Sequence, residues 1–329
     1  MNNYIIKNEN ATYWECGFSC DNHIYVKLGS ESFFITDSRY EIEVKECKKI
    51  DQVIIGSDLI KELRLLLLKN QIKVIIIDPQ DLSISEYTKL TKNLNKIVFK
   101  ERLNFSKIKR MIKTEEEIKL IKKAMELGRK GFNDFKQNLP EYIGKTEQWM
   151  AFENKKILTK NGELDISFEP IIALEKNAAK PHATPTNKKY EEGKILLIDA
   201  GIKYKRYCSD RTETYINKKS KEQQKVYDIV LKAQEEVIKK GRSGMKASEL
   251  DILARTYIDK QGFGKFFVHS TGHGVGVDIH EFPYITKNNN VIIEDNMTFS
   301  VEPGIYLPNN FGVRIEDCVS VKNGKLELL

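Results

Sequence analysis

Asp199, Asp210, His273, Glu302 and Glu316 are the residues of this chain best placed to do chemistry. Asp199 closes the apolar run Ile195-Leu196-Leu197-Ile198, and Glu302 follows Phe299-Ser300-Val301. Glu316 follows Val313-Arg314-Ile315, and Asp210 lies between Cys208-Ser209 and Arg211-Thr212. Strands this apolar are usually buried. Burying an ionised carboxylate without a partner costs several kcal/mol or shifts its pKa. Taken singly, each carboxylate also reads as an edge-strand residue in solvent. Arg314 can pair with one of them, since it stands two residues before Glu316 on the same strand face. Four in one region exceed what arginines supply, and divalent cations satisfy them well.

His273 lies in the stretch His269–Glu281, which holds three of the five histidines, His269, His273 and His280. Thr271, Gly272, Gly274 and Gly276 surround it, so the backbone can bend tightly and approach a neighbouring group closely. An imidazole with so little side-chain cover suits a metal ligand or a general acid/base. A Gly-rich turn with histidines at its edge is the plainer reading. Four carboxylates and one histidine suit two metal ions about 3.5–4 Å apart, with a bridging water acidified into a hydroxide nucleophile. The oxygen-rich set without thiolate favours Mn²⁺, Co²⁺ or Fe²⁺ and admits Zn²⁺.

The elements that must position these residues read as two domains, residues 1–105 and 106–329, a natural division for 329 residues. In the first, strands are expected at His23–Leu28, Ser32–Thr36, Gln52–Ile55, Lys73–Asp78 and Ile97–Phe99, with helices at Asp58–Leu68 and Ser83–Leu94. Their alternation argues for a mixed or parallel α/β sheet without a chemically suggestive cluster. In the second, Thr114 and Glu117 form a capping-box pattern opening a helix to about Gln137, and another helix starts near Thr146. Single strands are then expected at Ile166–Glu175, Lys194–Ala200 and Arg206–Ile216. Helices at Lys221–Lys240 and Ala247–Gln261 and strands at Met297–Tyr306 and Gly312–Val321 follow. Each half has two helices, then strands carrying two carboxylates, which suggests a duplicated α+β architecture. His182 lies in the first half, in an irregular loop between the strands at 166–175 and 194–200 that contains Pro181 and Pro185.

Composition narrows the rest. Lys and Arg number 54 against 47 Asp and Glu, a net charge of +7 with the signs interleaved. That is the look of solvated faces, and no basic stripe with interleaved aromatics suggests a nucleic-acid partner. The longest apolar runs, Leu65–Leu68 among them, are far too short to span a bilayer. Five scattered cysteines with no Cys-x-x-Cys read as reduced, mostly structural thiols. With no signal-peptide core at the N-terminus, a cytoplasmic protein is expected.

The segments Pro181-His182-Ala183, Ile198-Asp199-Ala200-Gly201, Tyr207-Cys208-Ser209-Asp210, Gly272-His273-Gly274-Val275-Gly276, His280-Glu281-Phe282-Pro283, Val301-Glu302-Pro303-Gly304 and Val313-Arg314-Ile315-Glu316-Asp317 occur in that order. Asp210 follows Asp199 by 11 residues and Glu302 follows His273 by 29. This series resembles the pita-bread metallopeptidases, the family of methionine aminopeptidase, aminopeptidase P and prolidase. An α/β domain ahead of the catalytic one resembles the aminopeptidase P and prolidase branch. The resemblance implies an α+β pita-bread (creatinase/aminopeptidase-like) catalytic domain behind a smaller creatinase-like α/β domain. It implies Asp199, Asp210, His273, Glu302 and Glu316 as ligands of two divalent ions, Mn²⁺ foremost, with Asp210 and Glu316 bridging. It also implies Glu302 as general base and acid, and His182 and His280 as oxyanion and substrate contacts. His269 becomes a pocket histidine or a support for one, and Arg314 orients Glu316 or Asp210. Peptides with proline at the second position are the implied substrates, and a homodimer the implied assembly.

Two positions depart from the family pattern. Relatives often read Ser-Asp-x-Thr-Arg-Thr, where this chain has Ser209-Asp210-Arg211-Thr212-Glu213-Thr214, a charge reversal that Arg211 or Arg314 would have to compensate. Some prolidases carry an arginine for a dipeptide's carboxylate where this chain has Tyr284. Without that bidentate cation, the expected activity is an Xaa-Pro aminopeptidase accepting longer peptides, with an Xaa-Pro dipeptidase as the alternative. A non-catalytic binding domain or a metal-free creatinase-like hydrolase fits less well, because all five ligand positions are kept.

Overall fold

The computed structural model describes residues 3–216 and 220–329. The chain divides into two compact units, Met1–Lys109 and Arg110–Leu329. The division lies beyond residue 105 because the short helix Phe105–Lys109 stays with the first unit. There the Phe105 ring packs at 5.6 Å from Tyr4, and Lys109 Nζ donates to Tyr4 Oη at 2.9 Å.

The first unit runs β1 (Tyr4–Ile6), α1 (Glu9–Cys16), β2 (His23–Leu28), β3 (Glu31–Thr36), α2 (Glu41–Lys45), β4 (Gln52–Ile55), α3 (Leu59–Lys69), β5 (Val74–Ile77), α4 (Ile84–Thr91), β6 (Val98–Glu101) and α5 (Phe105–Lys109). Its six-stranded sheet has the order β4-β3-β2-β1-β5-β6. The β1–β2–β3 meander is antiparallel and the outer pairs are parallel. A Gly29-Ser30 turn joins antiparallel β2 to β3, while α2 lies between parallel β3 and β4 and α4 between parallel β5 and β6. Leu59, Leu63, Leu66 and Leu67 of α3 face the sheet at helical spacing.

The second unit opens with α6 (Glu115–Gln137) and α7 (Glu147–Leu158). Thr114 and Glu117 close a reciprocal capping box on α6, as their spacing predicts. Then come β7 (Asp165–Ile166), β8 (Ile171–Leu174), β9 (Ile195–Ala200), β10 (Ile202–Tyr204), β11 (Tyr207–Cys208), β12 (Arg211–Ile216), α8 (Lys221–Lys240) and α9 (Ala247–Lys260). The unit ends with β13 (Gly272–Gly274), β14 (Glu281–Ile285), β15 (Thr298–Val301), β16 (Gly304–Tyr306), β17 (Gly312–Arg314), β18 (Asp317–Lys322) and β19 (Lys325–Leu328).

Four stretches expected as single strands are each broken in two. They are 166–175, 206–216, 297–306 and 312–321. In each the chain leaves one sheet for another: β7 joins β10-β11 while β8 joins β9-β12, and β15 and β18 lie in a five-stranded sheet while β16 pairs β17. At 297–306 and 312–321 the apolar pattern runs through the break because both sheets are buried there, so periodicity alone does not mark it.

Strand β9 shows how the core meets the site. Leu196, Ile198 and Ala200 pack with Ala124, Phe132 and Phe135 of α6. Ile195 and Leu197 turn to the opposite cluster, with Val226 and Val230 of α8 and Phe299 and Val301 of β15. Asp199 follows 195 and 197 on that second face, by the two-residue period of a strand.

Candidate active site

Each candidate ligand is set by a strand end or a break between sheets. Asp199 stands opposite Ile171 of β8 and Thr212 of β12. Asp210 occupies the gap between β11 and β12, Glu302 the gap between β15 and β16, and Glu316 the gap between β17 and β18. Backbone bonds hold these gaps, Glu302 N donating to Thr271 O at 2.8 Å and Glu316 N to Thr212 O at 3.0 Å. Asp199 and Asp210 come from the first half of the unit, and His273, Glu302 and Glu316 from the second.

His273 sits in β13 between two glycines whose shape is demanded by neighbouring strands rather than by a bound group. A Cβ on Gly272 would fall 1.9 Å from Ser300 O, and one on Gly274 2.2 Å from Phe282 O. His273 Nδ1 lies 3.1 Å from Gly274 O, so its proton is placed there and Nε2 is left as a lone-pair donor. That Nε2 is 3.3 Å from Glu302 Oε1 and 3.5 Å from Asp210 Oδ2. Ligand atoms of Asp210, His273 and Glu316 all lie within 4.8 Å of one another.

The cluster carries more negative charge than the protein neutralises. Desolvation pushes the Asp210 and Glu316 carboxyls well above their usual range; repulsion from Asp199 and Glu302 adds to it at both, and repulsion from Asp210 at Glu316. Burial also raises Glu302, against the pull of His269 and Arg314. Burial lowers His273 and His269. Asp199 Oδ1 and Glu316 Oε1 are buried yet receive no hydrogen bond. Two buried carboxylate oxygens without donors, in the cleft that also holds the His273 imidazole, are what a divalent cation would complete. The residues therefore fit a metal centre of oxygen-rich character.

Arg314 organises the remaining oxygens. Its Nη2 donates to Asp199 Oδ2 at 2.5 Å, Nε to Thr212 Oγ1 at 3.0 Å, and Nη1 to Pro181 O at 3.0 Å and Tyr306 Oη at 2.7 Å. Thr212 Oγ1 in turn donates to Glu316 Oε2 at 2.6 Å. The partner of Arg314 is thus Asp199, with Glu316 reached only through Thr212 and Asp210 not bonded to it. The reason is geometric: β17 lies against β9, and the guanidinium spans from one to the other. Tyr306 Oη lies 2.8 Å from His269 Nε2, and His269 Nδ1 lies 2.7 Å from Ser270 O. Both ring nitrogens of His269 are engaged. Burial pushes the Tyr306 hydroxyl up to about 12, so it stays a donor to that ring.

The charge reversal at Glu213 is absorbed next door. Arg211 Nε donates to Glu213 Oε1 at 2.8 Å and Arg211 Nη1 pairs with Asp317, while Gln234 donates to the other Asp317 oxygen at 3.3 Å. Residues 211 and 213 share a strand face, so Arg211 reaches Glu213 and Asp317 together.

All ten residues singled out from the sequence line one cleft of about 550 Å³. His182 and His280 are exposed in it, with the His280 ring edge-on to His273 at 4.4 Å between centroids. Tyr284 is half-buried on β14, opposite His273. The apolar wall of Phe168, Ile171 and Ile279 was not legible, because those side chains look like any core residue in sequence. Glu147 was missed as well. It is fully buried and takes hydrogen bonds from Leu174 N, Asn177 Nδ2, Thr186 N and Thr186 Oγ1, folding the loop that carries His182. As an acid in the first turn of a helix it looks like ordinary dipole complementation.

Comparison with known proteins follows from this geometry. A family model described as metallopeptidase family M24 matches residues 119–323. A Pyrococcus horikoshii protein named Xaa-Pro dipeptidase is 33% identical over 98% of this chain and 91% of its own length. The structure of an Xaa-Pro dipeptidase from Bacillus anthracis superposes with a TM-score of 0.93 at 30% identity, covering 99% of this chain and 92% of that one. An X-Pro aminopeptidase structure from Thermotoga maritima gives 0.91 at 32% identity, covering 100% and 95%. The fold is accordingly an N-terminal α/β domain followed by a pita-bread domain.

Proposed function

The chain belongs to metallopeptidase family M24, and from that premise we propose that it is a two-metal Xaa-Pro dipeptidase. The aminopeptidase expectation gives way because the full-length relative is named a dipeptidase, and so is the superposing Bacillus anthracis structure. The observation that carries the hydrolytic reading is the buried cluster with its two donorless oxygens, Asp199 Oδ1 and Glu316 Oε1. Asp199, Asp210, His273, Glu302 and Glu316 would hold the ions, and the oxygen-rich donor set favours Mn²⁺. When bound, the ions would polarise the scissile carbonyl and acidify the attacking water.

The chain's own groups do the rest. Glu302 accepts a proton and returns it to the departing proline nitrogen, a task suited to a carboxyl whose pKa burial has raised. Ser300 Oγ, 3.0 Å from Glu302 Oε1, fixes which oxygen does this. His182 and His280, exposed in the cleft, donate to the developing oxyanion and hold the substrate. His269 supports from behind, since both its nitrogens are taken. A cytoplasmic homodimer accompanies this reading by analogy with the branch. Among the described residues no helix is long and apolar enough to cross a membrane.

One observation favours the aminopeptidase instead. The arginine that lines the cleft, Arg314, spends its donors on Asp199, Thr212, Pro181 and Tyr306, and Tyr284 carries no charge. Hydrolysis of Leu-Pro and Leu-Pro-Gly by metal-stripped protein resupplied with Mn²⁺ decides between them. Higher kcat/KM on the dipeptide supports the proposal, and preference for the tripeptide reverses it. Cleavage of neither would remove both.

A further inference from the structure

Arg110 and Lys113 bring two buried cations into the second unit that the metal cluster does not use. Lys113 Nζ lies 2.7 Å from Glu281 Oε2 and 2.6 Å from Arg110 O. Arg110 Nε lies 3.2 Å from Glu281 Oε1, and Arg110 Nη2 lies 2.5 Å from Asp278 Oδ2. Glu281 Oε1 also accepts from Asp278 N at 3.1 Å. The side chains of Arg110, Lys113 and Glu281 are only 1–2% exposed. The grip is close enough that a Cβ on Gly276 would fall 2.4 Å from the Glu281 carboxylate.

The segment is fixed at its other side too. Lys113 N donates to Asn296 O at 2.9 Å, and Ile112 bridges Met297 at the start of the stretch that leads to Glu302. The loop it grips is also tied by Cys208 N to Gly276 O at 2.8 Å, two residues before Asp210.

His280 immediately precedes Glu281 and is itself exposed, with its ring edge-on to His273. A buried ion pair gains little over an apolar pair in stability, but it admits few arrangements. We propose that Lys113 and Arg110 are positioning residues: by closing on Glu281 they fix where the His280 imidazole stands against His273. This rests on the reading of His280 as a substrate contact. A loosened loop would leave the ions and the fold intact while displacing one reacting partner, and a displacement of about 1 Å costs on the order of a hundredfold.

The test replaces the pair by a neutral one of similar volume, Lys113→Met with Glu281→Gln, leaving Arg110 on Asp278. Expected are a near wild-type unfolding midpoint, unchanged Mn²⁺ uptake by calorimetry and a kcat/KM on Leu-Pro about 10- to 100-fold lower. In a His280→Ala background the same pair should cost no more than about twofold, because both act through one group. Full additivity there would overturn the proposal. A second readout needs no substrate. With ¹⁵N-labelled histidines, the ring signals of His280 should shift and broaden in the double variant while those of His23, in the other unit, stay. Unchanged His280 signals overturn the proposal even if the protein cleaves no Xaa-Pro bond, and that lack of cleavage would count against the proposed function alone. If the double variant does not fold, Glu281→Asp, which shortens the grip by one methylene, should give the same His280 signature with a smaller loss of rate. Its absence there would be equally decisive.

Discussion

Replacing Arg314 by methionine should destabilise the metal-free protein far more than the metal-loaded one. The guanidinium is buried at 3% exposure and makes four hydrogen bonds, to Asp199, Thr212, Pro181 and Tyr306. Burial works against its charge, but Tyr306, Asp199 and Glu302 outweigh that and hold it well above its ordinary value. Methionine would leave Asp199 buried with neither oxygen bonded by Arg314, beside three further carboxylates. Breaking a buried pair on one side costs about 3–5 kcal/mol. At about 2–4 °C per kcal/mol for a domain of this size, the midpoint of the second unit should fall by roughly 6–20 °C in chelator. Divalent ions would neutralise the same carboxylates, so added Mn²⁺ should recover much of that loss. Arg314→Lys, which keeps charge but cannot fork to four acceptors, should lie between the two. Thermal unfolding of the three proteins, with chelator and with Mn²⁺, measures all of this. A chelator midpoint for Arg314→Met within about 2 °C of wild type would refute the reasoning, as would equal losses in both conditions.

Glu302→Gln should fold, but its kcat on Xaa-Pro substrate should drop by about 10²–10⁴-fold, read by steady-state kinetics, because the amide cannot carry the proton. Asp210 and Glu316 hold protons in the metal-free fold at pH values where the unfolded chain has lost them. The native state then binds more protons, so metal-free stability should fall as pH rises from about 4 until these groups also ionise. Metal binding must release those protons, so the stabilisation by Mn²⁺ in thermal scans should be larger at about pH 7.5 than at about pH 5.5. Tyr284→Arg should supply the missing cation for a dipeptide's carboxylate. A charge-assisted bond worth about 1.5–3 kcal/mol should lower KM for Leu-Pro roughly tenfold or more and leave Leu-Pro-Gly within about twofold.

The carboxylates were legible because apolar strands rarely end in uncompensated charge, and Asp199 after Ile195–Ile198 has that form. Their local geometry was not legible. Glu302 and Glu316 read as residues within continuous strands, yet each occupies a gap where the chain changes sheets. Both sheets are buried there, so hydrophobic alternation continues across the gap and hides it. Helices fared better, since the box of Thr114 and Glu117 is local chemistry that needs no tertiary partner. Lys113 and Glu281 stand 168 residues apart, and no local pattern links a lysine before a helix to a glutamate after a histidine. Glu147 and Thr212 were hidden in the same way, being defined only by what they bond across the fold.

The division of the proposed ligands between the two halves also bears on when the protein could act. Asp199 and Asp210 are made first, and His273, Glu302 and Glu316 follow through the rest of vectorial synthesis. On the proposed ligand set, a nascent chain offers an ion the two aspartates first, His273 only later, and the full set only once Glu316 has been added. On that reading hydrolytic competence would arrive in one step, and products of translation abandoned before Glu316 would lack the means to cleave the peptides around them.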